Sequence, residues 1–519
     1  MNNKLLFLFI ITCTLNISAQ NIADFISVEP TIPGTNFIIP SSHVFQKIIE
    51  EGDSLTEGGT QAARIDFTAY VPISGSSENG LLSINSELDT GAVSILDIHL
   101  NQITKLWEIT QSQALDFTGV AGTTRNCSGA ITPWNTVISC EEMIDTMDIN
   151  NDGHHDLGWC VEIDPFTKTV IDKIWALGKF RHENVAIHSN ERTVYEGVDS
   201  NPGYLYKFVA DNAQDLSSGI FYVYSGAKNG PGNWIQINNS TPEDQNTTLA
   251  QSADVGGTVF MGIEDVEIGP DGMVYFAVKD EDRVYRFQDS DPLTGTTVIQ
   301  METYVGHATY DITLQDTIVR ANWGSGNDNL AFDGEGNLWV LQDGTFRYIW
   351  VVRNGHTQVD PKVEIFGRTP LGAEPTGITF SPDYRFLFMS IQHPHVNNAS
   401  TTQMDIEDTP IAFDKSISLV IALKENLGAG AVFTPDFPVE EKITLHNNPS
   451  TGEFKLDLGQ VHKEIEVTIL RSTGQFVFTK KFTLVDNINI DLSNENSGLY
   501  FLNIKSRGKT IGTIKAIKK

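Results

Sequence analysis

Four segments of the chain repeat one pattern. In each, a carboxylate opens a short alternating strand, a tight turn follows, and a second strand ends on an aromatic residue. The closing aromatic residues are spaced 49 to 80 residues apart. Strand–turn–strand units that recur at such intervals are typical of the blades of a β-propeller with insertions. The carboxylates that open the four segments are Glu183, Glu264, Asp328 and Glu374.

Most of the first 434 residues also have the pattern of strands. Short runs rich in Val, Ile, Phe, Tyr and Thr are bounded by Gly, Asp, Asn and Pro, and helical periodicity is confined to residues 42–51. Strand pairs near residues 82–87 and 137–141 raise the expected number of blades to six. The sequence therefore predicts an all-β fold, a six-bladed β-propeller with insertions, over residues 20–434.

The register of the four opening carboxylates indicates a metal site. In a propeller the innermost strand of every blade lines the central channel, so residues at the same end of these strands point toward one axis. Converging acids need a counter-charge, and their hard oxygen atoms suit Ca²⁺ or trivalent iron. The alternative is that each acid caps a turn by accepting hydrogen bonds from local amides. Weaker candidates at the ends of the second strands are Asp199, Asp343, Gln392 and His393.

The first segment has the features of an export signal. Lys4 gives a positive start, residues 5–15 are apolar but too short to span a bilayer, and Ala19 belongs to a small-residue cleavage site. We therefore expect residues 1–19 to be a signal peptide, and no later stretch has the pattern of a membrane helix. Removal of the signal takes Cys13 with it and leaves an odd number of cysteines: Cys127, Cys140 and Cys160. One thiol must then be free, paired between chains, or bound to another group.

The charge of the chain is unevenly distributed. The 519 residues include 66 Asp and Glu against 35 Lys and Arg, a net charge of −31. Residues 442–519 have a net charge of +5, and the first 441 residues have −36. So acidic a chain argues against nucleic acid and against an anionic membrane surface as partners. The change of sign suggests two units with different roles.

One insertion has the pattern of a calcium-binding loop. Oxygen-bearing side chains stand at loop positions 1, 3, 5 and 9, with a glycine at position 6, as such a loop requires. Position 12 is Trp159, where a calcium loop usually has Glu. We expect a structural Ca²⁺ here, and the alternative is a solvated acidic hairpin tip. The four ligand candidates are Asp148, Asn150, Asp152 and Asp156.

Five ordered motifs over residues 27–424 resemble the signature of the PhoX family of bacterial alkaline phosphatases. They lie within residues 126–142, 158–165, 178–183, 328–344 and 372–394. In addition, Asn85-Ser86-Glu87 resembles the Asn-His-Glu of the family, with Ser86 in place of His. The resemblance implies a propeller whose axis holds two ferric irons and several calcium ions, and which hydrolyses phosphomonoesters with the metals as Lewis acids.

The resemblance also implies roles for individual residues. The cysteine that binds iron in the family corresponds to Cys140, which would leave Cys127 and Cys160 able to pair. Arg181 and His182 stand beside a ligand candidate and are candidates for contact with phosphate, although Arg181 could instead form a salt bridge within a blade. The carboxylate ligands that the resemblance implies are Glu87, Glu141, Glu183, Glu264 and Glu374, of which the last three are also indicated by the register of the repeats.

The end of the chain has the pattern of a separate module. Alternating strands at residues 443–454, 467–474, 488–492 and 497–501 predict a small β-sandwich over residues 442–519, after a linker at 435–441. The module resembles the C-terminal sorting domain of the type IX secretion system of Bacteroidetes. It implies export through the periplasm by the type IX machinery, to a secreted or surface-attached protein. The alternative is a carbohydrate-binding or adhesive sandwich.

Two classes of function follow from these features. The first hypothesis is a secreted, monomeric, metal-dependent phosphomonoesterase that acts on a small phosphate ester. The alternative enzyme is another calcium-dependent propeller hydrolase, of the lactonase or phytase type. The alternative outside the enzymes is a non-catalytic surface propeller that binds a ligand or a partner.

Overall fold

The computed structural model describes residues 21–428, 443–471, 475–506 and 509–519, apart from the side chains of residues 460, 461, 464 and 509–511. The chain divides into two compact units, residues 1–430 and 431–519. The predicted signal peptide, 1–19, and the predicted linker, 435–441, lie outside the described residues. In the described part of the chain, no helix has both the length and the apolar character needed to cross a membrane.

Strands dominate the first unit. In chain order they are β1 (His43–Glu50), β2 (Ile65–Pro72), β3 (Asn79–Ser86), β4 (Ala92–Leu100), β5 (Trp107–Ala114), β6 (Asn126–Ile131), β7 (Val137–Glu141), β8 (Cys160–Asp164), β9 (Thr169–Lys173), β10 (His182–Ile187), β11 (Thr193–Val198), β12 (Leu205–Asn212), β13 (Asp215–Gly226), β14 (Gly230–Ile237), β15 (Ile263–Ile268), β16 (Val274–Val278), β17 (Arg283–Asp289), β18 (Thr297–Gly306), β19 (Thr309–Thr313), β20 (Ile318–Asn322), β21 (Asn327–Phe332), β22 (Leu338–Gln342), β23 (Tyr348–Val352), β24 (Val363–Arg368), β25 (Glu374–Phe380), β26 (Phe386–Gln392), β27 (Gln403–Met404), β28 (Pro410–Ile411) and β29 (Ile417–Leu423).

Helical structure is short and lies in the connections. Helices α1 (Pro242–Asn246) and α2 (Thr248–Asp254) follow β14, and α1 begins at a capping box that Thr241 forms with Asp244. Single 3₁₀ turns lie at Ile73–Gly75, Thr118–Val120, Trp175–Leu177, Lys279–Glu281 and Val396–Ser400.

The strands form antiparallel sheets, mostly between neighbours in sequence. Four sheets have four strands each, in the orders β2-β3-β4-β5, β6-β7-β8-β9, β21-β22-β23-β24 and β1-β29-β26-β25. A further sheet has nine strands in the order β10-β11-β12-β13-β14-β18-β17-β16-β15. The sequence predicted six separate blades. Four separate four-stranded sheets are described, and one nine-stranded sheet stands where two more were expected, because β14 pairs with β18.

Six edge strands, here called the ring strands, contact one another in a closed cycle. The order of contact is β2, β6, β10, β15, β21, β25 and back to β2. Each of them lies at one end of its sheet, and both ends of the nine-stranded sheet belong to the ring. The fold is therefore all-β and propeller-like, and the ring strands surround a common axis.

Apolar side chains fill the spaces between neighbouring sheets. Tyr70 of β2 stacks on Phe388 of β26 with a ring centroid distance of 4.8 Å, and Trp107 packs edge-on against the same phenylalanine. The alternating strands supply one apolar face to each such contact, which removes that surface from water and stabilises the arrangement.

The sheet that contains both chain ends of the propeller corrects one sequence expectation. Residues 42–51 have helical periodicity in the sequence, but the structure forms β1 there. β1 pairs with β29, the last strand of the unit, from His43 opposite Leu423 to Glu50 opposite Ile417. A partner 370 residues or so away, absent from any local pattern, decides the conformation of this segment.

The second unit is a single sheet. Its strands are β30 (Thr444–His446), β31 (Glu453–Arg471), β32 (Phe476–Asp491), β33 (Gly498–Ser506) and β34 (Lys509–Lys518). The order is β30-β31-β33-β34, and β32 also pairs with β31. The predicted strands appear, but β31 continues through most of two of them, so hydrogen bonds join all strands in one five-stranded sheet. Its buried face includes Phe454, Val467 and Leu502.

Candidate metal centre on the propeller axis

A β-bulge interrupts each ring strand at an equivalent position. The pairing of each ring strand with its neighbour skips two residues there, as between His182 and Val185 of β10. A bulge re-aims the side chains beside it. The first skipped residue is an acid or a thiol in five ring strands and a glycine in the sixth: Asp66, Cys127, Glu183, Glu264, Asp328 and Gly377.

A second set of charged residues follows the strands that pair with the ring. In five of the six pairs, the partner of the last residue before the bulge is followed directly by Glu87, Glu142, Asp199, Lys279 or Asp343. In the sixth pair Glu374 lies opposite Gln392, and His393 follows. The axial cluster is defined here as Asp66, Glu87, Cys127, Glu142, Glu183, Asp199, Glu264, Lys279, Asp328, Asp343 and Glu374.

The thiol of Cys127 bridges two acids of the axial cluster. Its Sγ lies 3.0 Å from Oε1 of Glu183 and 3.4 Å from Oδ2 of Asp66. Asp66 is held from the other side by Thr376, whose hydroxyl donates to Oδ1 over 2.6 Å, and by Gln392, whose amide donates to Oδ2 over 2.9 Å. Cys127, Asp66 and Glu183 are all buried. This half of the cluster is therefore positioned by fixed neighbours rather than by solvent.

Three carboxylates approach one another closely on the next side of the ring. One oxygen from each of Glu183, Asp199 and Glu264 can be chosen so that all three lie within 4.8 Å of one another. Lys279, which holds the position that an acid holds in four other strand pairs, places its Nζ 2.7 Å from Oε1 of Glu264. Carboxylate oxygens at such separations are the arrangement that a bound cation requires.

The third side of the axial cluster contains a carboxylate oxygen with no partner. Oδ1 of the buried Asp328 has no hydrogen-bond partner among the described residues. The same residue hydrogen-bonds Glu374, and the charge of Asp343 acts on both. Asp343 itself accepts from Arg347 over 2.7 Å. A buried carboxylate oxygen without a donor is costly, and a metal ion would satisfy it.

Burial and mutual repulsion change the acidity of the cluster. Burial, together with the charge of Asp328, raises the pKa of Asp66 to about 8. Burial and the neighbouring Glu87 likewise raise the pKa of Glu142 to about 8. For Asp328 burial raises the pKa to about 6, and the charge of Lys279 acts against it. Without a cation, these groups hold protons that they would lose to a metal.

The most buried acids show the same effect more strongly. Burial raises the pKa of Glu183 well above its usual range, and the charges of Glu264 and Asp328 add to it. Burial does the same for Glu264 and for Glu374. Burial also raises the pKa of the Cys127 thiol, with a further contribution from Asp66 and Glu183. Strong perturbation by burial plus specific neighbours is typical of functional sites.

Glu87 is the exception in this group. Burial acts to raise its pKa, but the contact with His393, whose Nε2 lies 3.5 Å from Oε2, prevails and the pKa is below its usual value. Glu87 and His393 therefore form a partly neutralised pair at the edge of the cluster.

The structure brings most of the predicted acids together. Glu87, Glu183, Glu264, Glu374, Asp199, Asp328 and Asp343 all belong to the axial cluster. Glu374, however, lies three residues before the bulge, and Gly377 occupies the position that the repeats assigned to an acid. The chain turns tightly there: Gly377 has φ of +58°, and a Cβ on it would lie 2.5 Å from the carbonyl oxygen of Asp66.

Cys140 and Glu141 are not in the axial cluster, which corrects two predicted ligands. Cys140 is completely buried in the apolar core between sheets, with its Sγ 3.7 Å from that of Cys160. Glu141 is completely buried and paired with Lys173, 3.0 Å away, and its Oε2 accepts from the amides of Gly158 and Trp159. The reason is strand alternation, which sends neighbouring residues to opposite faces, so that Glu142 reaches the axis and Glu141 does not.

His182 and Arg181 also separate. His182 is completely buried, stacks on Phe180 at a centroid distance of 3.7 Å, and directs Nε2 to the carbonyl of Gly178, so it has no access to a substrate. This corrects its predicted contact with phosphate, again because it neighbours Glu183 in a strand. Arg181 is exposed, and no acidic residue in the described ranges pairs with its side chain.

The predicted pairing of Cys127 with Cys160 is not found. All three described cysteines are free thiols. Cys127 contacts the axial acids, whereas Cys160 of β8 lies directly opposite Cys140 of β7. The sequence gave too little weight to Asp66, Cys127 and Glu142. The signal for the first two was present, because each opens a ring strand as Glu183 does, with a small or apolar residue two positions later.

The predicted calcium loop forms a compact turn. Asp148 accepts from the amides of Asp152 and Gly153, and Asp156 accepts from the amide of Ile149. Asn150 donates to Asp152 over 2.8 Å. Trp159, at position 12, is completely buried.

One cavity lies along the ring, beyond the bulges. Its volume is about 410 Å³. Its lining includes the second skipped residue of all six bulges: Phe67, Ser128, Asn184, Asp265, Asn329 and Ile378. The bulges thus separate an acidic end of the axis from a mixed apolar and polar cavity.

Comparison with known families gives two matches. A sequence profile described as alkaline phosphatase PhoX matches residues 104–395, and one described as a secretion system C-terminal sorting domain matches residues 445–519. A comparison with curated protein sequences gave no match.

Comparison with solved structures supports the fold. Pseudomonas fluorescens PhoX in complex with vanadate, a transition state analogue, has a TM-score of 0.61 at 20% identity, over 78% of this chain and 98% of that chain. The periplasmic gluconolactonase of Pseudomonas aeruginosa has a TM-score of 0.35 at 10% identity, over 92% and 99%. A virginiamycin B lyase from Staphylococcus aureus has 0.34 at 12% identity, over 73% and 99%.

Proposed function

This chain belongs to the PhoX family of alkaline phosphatases, and on that premise we propose that its axial cluster holds two ferric irons and several calcium ions. The enzyme is a phosphomonoesterase with a secretion sorting domain at its end. The observation that carries the proposal is the convergence of nine carboxylates and one thiol on one end of the ring. Lys279 is the cation within that cluster, which leaves most of the acidic charge to be balanced by metal.

The donor chemistry fits these metals. Carboxylate oxygens are hard ligands that suit Ca²⁺ and trivalent iron, and a thiolate suits iron. We assign Cys127, with Glu183 and Asp66, to the iron pair, because the thiol touches both acids. Glu264, Asp199, Asp328, Asp343 and Glu374 remain for the other ions. The unpartnered Oδ1 of Asp328 supports this assignment.

The blade count also belongs to this proposal. We count six blades by treating the nine-stranded sheet as two, one beginning at β10 and the other at β15. The closed cycle of six ring strands and their six equivalent bulges support this count. Each blade then contributes one side chain of the first set to the axis.

The residues of the chain have separate tasks in the reaction. The metal ions supply Lewis-acid stabilisation of the charge that develops on the phosphoryl oxygens. Thr376 and Gln392 fix the orientation of Asp66 by hydrogen bonds. Arg181, exposed one residue before the ring strand of Glu183, is free to bind an equatorial phosphate oxygen. The related Pseudomonas fluorescens protein binds vanadate, so an oxyanion of this shape is the ligand we assign to the site.

The loop at residues 148–156 is proposed to bind one structural Ca²⁺. Its carboxylates gather around the turn and accept backbone amides, which holds them close enough for a cation to collect them. Trp159 in place of a bidentate Glu at position 12 removes one ligand. The ion would therefore be bound more weakly than in a complete loop.

Export follows from the tail. The sorting domain match indicates a secreted or cell-surface protein. We propose that residues 1–19 direct the chain to the periplasm and that the type IX machinery then recognises residues 442–519. The boundaries of the signal, propeller, linker and tail remain as the sequence predicts them.

Hydrolysis of p-nitrophenyl phosphate by the purified mature protein tests the proposal. We expect turnover that a chelator abolishes, with iron and calcium present by elemental analysis. In Glu183→Gln we expect loss of iron and at least a 100-fold lower kcat/KM. A matched control is Val185→Ala, two residues along the same ring strand and buried, which should keep the metals. Calcium without iron, and no turnover of any phosphate ester, would contradict the proposal.

A further inference from the structure

A second cluster of metal-ligating side chains lies between two sheets, away from the axial cluster. Cys160, His182 and Glu196 each place one ligand atom within 4.8 Å of the others, and all three are completely buried. Sγ of Cys160 lies 3.3 Å from Nδ1 of His182, which lies 3.1 Å from Oε2 of Glu196. Sγ of Cys140 lies 3.7 Å from that of Cys160.

We propose that Cys140, Cys160, His182 and Glu196 form a closed structural site for one Zn²⁺ ion, which joins β7 and β8 of one sheet to β10 and β11 of the next. This site is distinct from the iron and calcium ions assigned to the axis. It would have a mixed sulfur, nitrogen and oxygen ligand set, with no open position for substrate.

The distances fit tetrahedral zinc. With Zn–S of about 2.3 Å and Zn–N and Zn–O of about 2.0 Å, a tetrahedron requires S···S of about 3.8 Å, S···N of about 3.5 Å and N···O of about 3.3 Å. The observed distances of 3.7, 3.3 and 3.1 Å are within about 0.2 Å of these values. A disulfide would need its sulfur atoms at about 2.05 Å, far closer than they are.

The orientation of His182 supports a ligand role for Nδ1. Its Nε2 lies 3.0 Å from the carbonyl oxygen of Gly178, which can only accept, so Nε2 carries the proton and Nδ1 presents a lone pair. That lone pair faces both a thiol and a carboxylate oxygen. A histidine whose far nitrogen donates to a backbone carbonyl is the usual support for a metal-bound imidazole.

Glu196 supplies an independent indication. Its Oε1 is completely buried and has no hydrogen-bond partner among the described residues. Its other oxygen faces the lone pair of His182, so no neutral arrangement satisfies both atoms. A divalent cation would satisfy them, because it accepts lone pairs from both groups.

The strand register explains how four separated residues meet. Cys140 and Cys160 lie directly opposite each other on β7 and β8. His182 stands at the start of β10, and Glu196 lies on β11, which pairs with β10. The same alternation that turns Glu183 toward the axis turns His182 into the space between sheets. The zinc would therefore hold His182 in place and, through the backbone, Glu183.

Zinc content and zinc-edge X-ray absorption of the full-length wild-type protein test the site. We expect one zinc per chain, with two sulfur scatterers at about 2.3 Å. Because Cys127 is the one thiol of the axial cluster, zinc bound there would show at most one sulfur. An intact disulfide between Cys140 and Cys160 in the native protein, or no zinc after purification in zinc-containing medium, would overturn the proposal.

Two variants separate loss of the metal from loss of the fold. In Cys160→Val and in Glu196→Gln we expect at least about a 10-fold weaker retention of zinc against a chelator, with axial iron retained. Val194→Ala is the matched control, since Val194 is completely buried on β11, two residues from Glu196 on the same face, and offers no ligand. Zinc kept by Cys160→Val, or lost equally from Val194→Ala, would refute the assignment.

Discussion

The thiol of Cys127 lies 3.0 Å from Oε1 of Glu183, although 56 residues separate them in the chain. The two residues hold equivalent bulge positions in the neighbouring ring strands β6 and β10. A ring that offers one such position per strand can mix thiol, carboxylate and glycine around one axis. The chemistry of the site is therefore set strand by strand.

Replacing Cys127 by Ser should remove the thiolate from the iron pair. We expect the thiolate-to-iron absorption band to disappear and kcat/KM for p-nitrophenyl phosphate to fall by about 10- to 100-fold or more. Val137→Ala, in the neighbouring strand β7 and equally buried, should keep the band and the activity. An iron-loaded, fully active Cys127→Ser protein would show that another group binds the iron.

Glu141 and Glu142 should respond to substitution in opposite ways. Glu141→Gln leaves the buried Lys173 without its partner, and we expect the free energy of unfolding to fall by about 3–5 kcal/mol while metal content is kept. Glu142→Gln removes a carboxylate of the axial cluster, and we expect metal content and activity to fall with little loss of stability. Denaturant unfolding and elemental analysis of both variants would check this; the reverse result would place Glu141 at the metals.

Removing the metals should make stability depend on pH in a specific direction. In the metal-free folded protein the pKa values of Asp66 and Glu142 are raised to about 8, against about 4 for the unfolded chain. Between these values the folded state binds more protons than the unfolded state, so the free energy of unfolding falls as pH rises from about 4 to 8. Each group contributes up to about 1.4 kcal/mol per pH unit.

Melting temperatures of the chelated and metal-loaded protein at several pH values would measure this effect. The metal-loaded protein should show a much smaller fall, because bound cations keep the carboxylates ionised at all these pH values. Parallel curves for the two forms would mean that the acids of the axial cluster do not bind the metals.

Gly377→Ala should disturb the axial cluster through the backbone. The glycine has φ of +58°, and an added Cβ would lie 2.5 Å from the carbonyl oxygen of Asp66 and 2.6 Å from the amide nitrogen of Thr68. We expect a loss of about 1–2 kcal/mol from the backbone conformation alone, more from the clash, and lower activity. Gly256→Ala, also at positive φ but with open space around its Cβ, controls for the conformational part.

Much of the fold could be predicted from the sequence because its signals are local. The alternating strands, the tight turns and the recurrent opening acid identify the ring strands β10, β15 and β21 directly. The pairing of β1 with β29 could not be predicted, since its partner lies at the far end of the unit. The joining of two expected blades through β14 and β18 depends likewise on a contact between distant strands.

The candidate site was predicted in part, and the errors have one physical cause. Glu183, Glu264 and Asp328 were found by register, and all three lie in the axial cluster. Adjacent residues of a strand face opposite sides, so an error of one position moves a side chain from the axis into a sheet interface. That is why Glu141 and His182 were placed at the metals, although they stand next to Glu142 and Glu183.

The amino-acid sequence by itself determined the strand content, the repeat, the two-unit organisation and the family. All of these depend on residue types and spacings along the chain. Only the tertiary structure decided which of Cys127, Cys140 and Cys160 meets the axial acids. A β-bulge shifts the alternation of a strand by one residue, and neither its position nor the neighbour it faces can be read from a local pattern, because both depend on strand pairing around the closed ring.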